Sequence, residues 1–386
     1  MVKSRTLIFI FIFLLFAPFA DAVKIIKKGS GPVYKIPFRP KWVSMIKKGK
    51  LFKYQRKEFA SPRVYRDLIF VGADSHYFYC LKSKNGHKLW RFEAKGAVHS
   101  VPSFSEETVF FGDNKGIFYA LDIKTGNERW RFNDAGSEIL APAAIHENTI
   151  YLTTLEGKLI ALDLHSGQKN WELTHALQSK KGFTIRNHSG PVLFQGAVIV
   201  GFADGVLAAY SEKEGNPLWE KDLAAGEGSF RDVDMTPLIE ENRLYAAGFQ
   251  GDLFCLELTP KKSSNSTVPK VLWQQKIGSD VGFAIQDDVL YVSGSDGILY
   301  ALNKMSGVKV WEKKIGRGGL SAPAVLKSTV VVATTDKEVF FVNTLNGDIK
   351  IGRFAKKGVF GDPTIDGDRV YYLSNGGRLY SLKIVY

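Results

Sequence analysis

Cysteine is nearly absent from this chain: Cys80 and Cys255 are the only two among 386 residues. A disulfide-stapled scaffold is excluded by that count, because small secreted folds of that kind need several bridges. The seven histidines (76, 87, 99, 146, 165, 175 and 188) form no His-x-x-x-His pair, so a zinc site has no ligand pattern to rest on. No Gly-x-Ser-x-Gly elbow and no phosphate-cradling glycine loop occurs, which leaves the common hydrolase and nucleotide chemistries without a motif. Beyond Ala22 no apolar run approaches the length that crosses a bilayer as a helix. Acidic residues are missing from one stretch altogether: residues 23–57 carry twelve Lys and Arg and no Asp or Glu.

The segment up to Ala22 stands apart. Lys3 and Arg5 give a positive start, Leu7 to Phe19 are apolar apart from Pro18, and Ala20-Asp21-Ala22 supplies a small-x-small cleavage pattern. These features predict a secretory signal peptide over 1–22, cut after Ala22, with retention as an anchor the alternative. No Cys follows the apolar run, so a lipoprotein anchor has no residue to attach to. The formal net charge is +13, of which the signal segment supplies +1 and residues 23–57 supply +12, so residues 58–386 balance to zero. The chain therefore divides into a signal peptide (1–22), a basic arm that includes a closing strand (23–57) and a neutral body (58–386).

Aromatic residues and glycine are abundant, with 27 Phe, 15 Tyr, 7 Trp and 37 Gly. Strands and tight turns use both. The body is periodic. Gly followed four residues later by Trp recurs as Gly86/Trp90, Gly126/Trp130, Gly167/Trp171, Gly215/Trp219 and Gly307/Trp311, and Trp273 is a further member whose Gly is displaced by an insertion. Before each pair runs a strand such as Phe118-Tyr-Ala-Leu-Asp122, preceded by a turn such as Asp204-Gly205 or Asp296-Gly297, and earlier still by a strand opened by Pro. Units of about 40–45 residues with four strands each are propeller blades.

The fold expected is all-β, an eight-bladed β-propeller of four-stranded antiparallel blades. Seven blade starts lie near residues 61, 101, 141, 190, 236, 280 and 322, and an eighth begins at Asp362-Pro363. The eighth ends at Tyr386 before any Gly and Trp pair, and its missing strand is expected from the N-terminal segment around Trp42. That pairing closes the ring and removes the open edge. All seven Trp (Trp42, Trp90, Trp130, Trp171, Trp219, Trp273 and Trp311) then hold blade positions and are read as structural, each burying about 2–3 kcal/mol of apolar surface. Cys80 and Cys255 fall at equivalent positions of the first and fifth blades, far beyond disulfide reach, and are expected to be buried thiols.

Irregular segments are where recognition is sought. Residues 172–189 and 220–235 are longer than the repeat requires, and 259–270 is a polar insertion. The first contains Phe183, Ile185 and Arg186; the second contains Asp232 and Asp234. Apolar anchors flanked by charge suit a protein interface. Turn-capping aspartates and apolar residues tucked onto the propeller are the structural alternative.

Over essentially the whole mature chain the pattern resembles the BamB-like family of outer-membrane assembly propellers, whose blades are PQQ-like repeats. The resemblance rests on Lys41-Trp42, the apolar-Arg cluster before Ser189-Gly190-Pro191, the run Asp232-Val-Asp-Met-Thr-Pro237, the start Gly278-Ser-Asp-Val-Gly-Phe283, and the closing Gly361-Asp-Pro363 with Leu379-Tyr-Ser-Leu382. It implies a non-enzymatic periplasmic scaffold without cofactor or metal, which binds a POTRA domain of the barrel-forming subunit BamA and assists outer-membrane protein insertion. Carried over by position, Phe183, Ile185 and Arg186 match the family's contact loop, with Phe and Ile where Leu is typical, and Asp232 and Asp234 match its acidic pair. Members typically carry a lipid on an N-terminal Cys, which this chain lacks; the basic arm 23–57 is a candidate substitute, binding anionic lipid or cell-envelope polymer. No nucleic-acid partner is expected. Two other readings keep the fold: a stand-alone envelope propeller binding polysaccharide or another protein, and a PQQ-dependent dehydrogenase. The second would call for an adjacent cysteine pair, whereas Cys80 and Cys255 lie in separate repeat units.

Overall fold

The computed structural model describes residues 38–46, 58–175, 189–223, 232–233, 235–249, 251–259, 268–316, 319–336, 338–355 and 357–385. Every regular element among them is a strand, and the strands form eight four-stranded antiparallel sheets. In blade 1 the order from the axis outward is Arg63–Tyr65, Leu68–Gly72, Tyr77–Lys82 and Lys88–Glu93. Blades 2 to 7 repeat this plan over 103–132, 144–174, 192–222, 238–275, 283–314 and 324–354. Blade 8 takes Thr364–Asp366, Arg369–Ser374 and Arg378–Ile384 from the C-terminus and its outer strand, Phe38–Met45, from the N-terminus. An eight-bladed propeller closed by its two ends is thus the fold, as the repeats predict.

Burial explains the sequence texture of each strand. The second and third strands are covered on both faces by neighbouring blades and read as continuous apolar runs, for example Thr108–Gly112 and Phe118–Asp122. Outer strands have one covered face and alternate, as Lys169–Thr174 does. The core is not one globule. Eight apolar clusters each join facing sheets of two adjacent blades, from Phe70, Phe78, Val109 and Tyr119 between blades 1 and 2 to Trp42, Tyr371, Ile69 and Leu81 between blades 8 and 1.

The tryptophans work between blades, and the Gly beside each one in sequence serves a different junction. Indole N–H groups of Trp42, Trp90, Trp130, Trp171, Trp273 and Trp311 donate to the carbonyls of Ser83, Ile123, Leu164, Glu212, Lys304 and Thr344, each in the next blade, at 2.7–3.2 Å. The ring then lies flat on that blade's turn glycine. Gly126, at φ +73°, has the Trp90 indole so close that a Cβ would sit 2.6 Å from it, and Gly86 (φ +70°) meets Trp42 in the same way. Left-handed backbone and lack of space both demand glycine there. A bulge follows the Trp partner on the third strand in blades 1 to 6, between Ala120 and Leu121 for instance, and aims the indole sideways.

Trp219 sits at a junction unlike those of the other six. It holds its blade position, paired with Ala209 and buried against Leu244, Leu256 and Leu258 of blade 5. The turn glycine is what differs. Between the third and outer strands of blade 5 the chain runs through the insertion, and residues 258–269 contain no glycine. Apolar side chains of blade 5 therefore cover this indole where other junctions set a bare glycine beneath the ring.

Opposite each Trp stands a small residue: Cys80, Ala120, Ala161, Ala209, Cys255, Ala301 and Ser381. Both cysteines are therefore free, buried space-savers, and burial pushes the Cys80 thiol up to about 12. Blade 7 inverts the pairing. Phe341 faces Ile351 there, and its buried ring stacks on Phe38 of the closing strand at 4.7 Å.

Candidate functional site on the loop face

The ring has two unlike faces. One holds the Trp and Gly junctions, where the turns between third and outer strands meet the turns between first and second strands, as in the Ile123 N–H donating to Glu107. The other holds the turns between second and third strands and every connection from one blade to the next, as in the Asn114 N–H donating to Ala97. We call it the loop face. Described ends of both long connections lie on it, where the His175 N–H donates to Gly157 and the Leu223 N–H to Gly205. The closing strand runs toward it as well, since the Ile46 N–H donates to Gly377 in a turn of that face.

Blade 4 anchors the described ends of these connections. His175 closes blade 3 by stacking on Phe202 at 4.0 Å, and its Nε2 lies 2.9 Å from the Asp204 carboxylate, with both side chains buried. Ser189 resumes the chain: its carbonyl accepts from Thr153 Oγ1 and its hydroxyl from the Gly201 N–H. The Gly190 N–H donates to Thr236 Oγ1 at 2.8 Å, which ties the start of blade 4 to that of blade 5. Val233 is buried against Gly201 and its N–H donates to Phe202.

Of the sequence-selected contact residues, Phe183, Ile185, Arg186 and Asp234 lie outside the described residues. Asp232 lies inside them, buried at 3% exposure, and neither carboxylate oxygen has a hydrogen-bond partner among the described residues. Its carbonyl presses on Gly248, where any Cβ would overlap it, and the Gly248 carbonyl accepts from the Ser279 N–H.

Next to Ser279 is Asp280, which sequence reasoning did not single out. Its side chain reaches solvent with protein packed around it. Burial, then the charges of Asp232 and Asp362, raise its carboxyl pKa above the ordinary value of 3.8. Asp362 opens blade 8. It accepts from the Ala322 N–H of blade 7 at 2.8 Å, and its own N–H donates to Ser61 Oγ of blade 1 at 2.8 Å. Burial drives its pKa upward against the opposing influence of Ala322, Arg63 and Ser61. The sequence signal was present in both cases: Asp280 stands where blade 6 lacks the usual opening proline, and Asp362 sits in Gly-Asp-Pro. Among the described residues no group of three or more His, Cys, Asp or Glu is placed to hold a metal ion.

Comparison with known proteins agrees with this architecture. The family model for outer membrane protein assembly factor BamB matches residues 52–182, 136–313 and 295–385. A protein of Shewanella oneidensis with that name is 25% identical over 253 residues, 64% of this chain, and the match spans 61% of its own length. One from Burkholderia pseudomallei is 24% identical over 356 residues, covering 89% of this chain and 87% of that protein. The crystal structure of BamB from Moraxella catarrhalis superposes with a TM-score of 0.73 at 23% identity, covering 89% of this chain and all of that one, a likeness of fold. With matches running from residue 52 to residue 385, the chain belongs to the outer membrane protein assembly factor BamB family.

Proposed function

We propose that this protein is a non-enzymatic scaffold of the outer-membrane protein assembly machinery, exported to the periplasm, and that its loop face binds a POTRA domain of a BamA-type subunit. Relatives named outer membrane protein assembly factor BamB support the assembly role. The observation that carries the docking reading is Asp232, a buried carboxylate with both oxygens unpartnered among the described residues, at the described end of one of the two long connections. A buried charge without a partner is costly, and an interface that brings donors to it offsets the cost. Phe183, Ile185 and Arg186 supply apolar anchors and a cation from the neighbouring connection, and Asp234 a second acid.

Pull-down from envelope extracts, with wild type beside an Arg186→Ala/Asp232→Ala double variant, tests both parts. The wild type should retain the BamA-type subunit and the double variant should lose it. Absence from the wild-type sample removes the assembly role, and full retention by the variant removes the site. The arm 23–57 adds a second contact, to anionic lipid or cell-envelope polymer, each near-surface Lys or Arg contributing up to about 1 kcal/mol. Co-sedimentation with anionic vesicles at low salt should be strong and fall at high salt; no binding at low salt ends that idea.

A further inference from the structure

Three carboxylates from three blades stand where the loop face meets the inner strands, here called the mouth of the ring. Asp232 precedes the inner strand of blade 5, Asp280 that of blade 6 and Asp362 that of blade 8. All three are held in place. Asp232 is fixed by its carbonyl against Gly248, Asp280 follows the Ser279 N–H bonded to that same glycine, and Asp362 is pinned between Ala322 and Ser61. Asp232, buried and without a hydrogen-bond partner among the described residues, is close enough to Asp280 for its charge to raise that carboxyl. Buried acceptors left open in this way are rare in folded proteins. Arg63 is a cation whose charge reaches Asp362, yet burial outweighs it.

Aromatic surface adjoins the acids. Phe59, at the entry to blade 1, is 46% exposed and packs its ring 5.1 Å from Phe360 and 5.3 Å from His99. Phe360 stands two positions before Asp362, and Gly361 lies against the Ala60 carbonyl, so the aromatic pair and Asp362 share the junction of blades 8 and 1. Carboxylates take charge-assisted hydrogen bonds from guanidinium or ammonium groups, and exposed aromatic faces attract the same cations. Spread over three blades, and with no ligand group compact enough for a metal ion among the described residues, the acids fit cations carried along a chain.

We propose that this mouth binds an arginine- or lysine-bearing segment of a partner protein, with Asp232, Asp280 and Asp362 taking its cations and Phe59 packing on a guanidinium or alkyl stem. The proposal rests on the docking reading above, shares Asp232 with it, and adds Asp280, Asp362, Phe59 and the charge of the occupant.

Fluorescence anisotropy of a labelled peptide of alternating glycine and arginine, titrated with the full mature chain at low ionic strength, tests it. The wild type should bind the peptide; any affinity for its glycine-glutamate counterpart belongs to the basic arm 23–57 and should be the same in Asp280→Asn/Asp362→Asn. Asp280→Asn/Asp362→Asn should weaken binding about tenfold, as loss of paired charge at a docking surface does. Glu220→Gln, on the outer strand of blade 4, should change nothing. Unchanged circular dichroism would exclude misfolding as the cause. No binding by the wild type, or equal binding by the double variant, overturns the proposal. So does a wild-type oligomer that the double variant dissolves, which would assign the mouth to a second copy. Extract pull-down separates the two readings. Capture of the BamA-type subunit lost in Asp232→Asn but kept in Asp280→Asn/Asp362→Asn keeps the docking surface and removes the mouth. Peptide binding through the mouth with no capture of that subunit does the reverse.

Discussion

The two faces of the ring put polar groups to opposite uses. On the Trp and Gly face six indole N–H groups donate to carbonyls of the next blade, and six turn glycines are each fitted to a ring. On the loop face a buried aspartate has no partner among the described residues, and two more have their carboxyls raised, mainly by burial. Side chains on the first face hold blades together. Asp232, Asp280 and Asp362 on the second are costly where they stand, though Asp362 also bonds to blades 7 and 1, a pattern expected of residues kept for binding.

Substitutions can break or sharpen this contrast. The largest effect should come from Trp130→Ala, which removes the indole over Gly167 and its hydrogen bond to Leu164; a loss of about 3 kcal/mol in urea unfolding is expected. A change below about 1 kcal/mol would mean that the Trp junctions do not carry the ring. Gly126→Ala should cost about 2 kcal/mol by combining a strained positive φ with a clash against Trp90, and Gly367→Ala, with φ +55° but open space around it, should cost less. Their difference isolates the packing share.

On the loop face the sign should reverse. Raised Asp280 and Asp362 carboxyls mean that the folded state prefers their protonated forms. The stability they lend is present below the ordinary value of 3.8 and is lost as pH climbs through the raised values. Asp280→Asn/Asp362→Asn should therefore match wild type in melting temperature at low pH and exceed it modestly at neutral pH. A variant that is less stable at every pH would make these acids structural. The smallest effect should be that of Cys80→Ala, within about 1 kcal/mol of wild type, because Ala already occupies this place in blades 2, 3, 4 and 6.

The ring was legible in the sequence because blade junctions repeat, so each Gly and Trp pair reports the same local demand several times. Even one exception was visible, since the seventh unit has Ile351 where Trp is expected, though not its counterpart, the Phe341 and Phe38 stack, which depends on ring closure. Which junction each glycine serves was hidden, because the Trp next to it in sequence lies on the Gly of the following blade. For the same reason the insertion in blade 5 looked like a peculiarity of Trp273, its neighbour in sequence, while the indole left without a glycine is that of Trp219. Site residues occur once each and have no period to betray them. Asp232 drew notice through its irregular connection; Asp280 and Asp362 appeared only as parts of blade starts, and the fold sets all three before inner strands on the loop face.

Ring closure also sets an order on folding. Phe38–Met45 pairs with Arg378–Ile384, so the contacts that complete the ring join opposite ends of the chain. A chain made from its N-terminus has that strand early and its partner last, and the slowest kind of contact to find is a non-local strand pairing. Until the C-terminal strand arrives, Trp42 has no eighth blade to belong to, and both blade 1 and blade 7 present uncovered apolar faces. Loss of the last few residues should then act less like trimming a tail than like leaving the ring unsealed at one junction, exposed to aggregation through those faces.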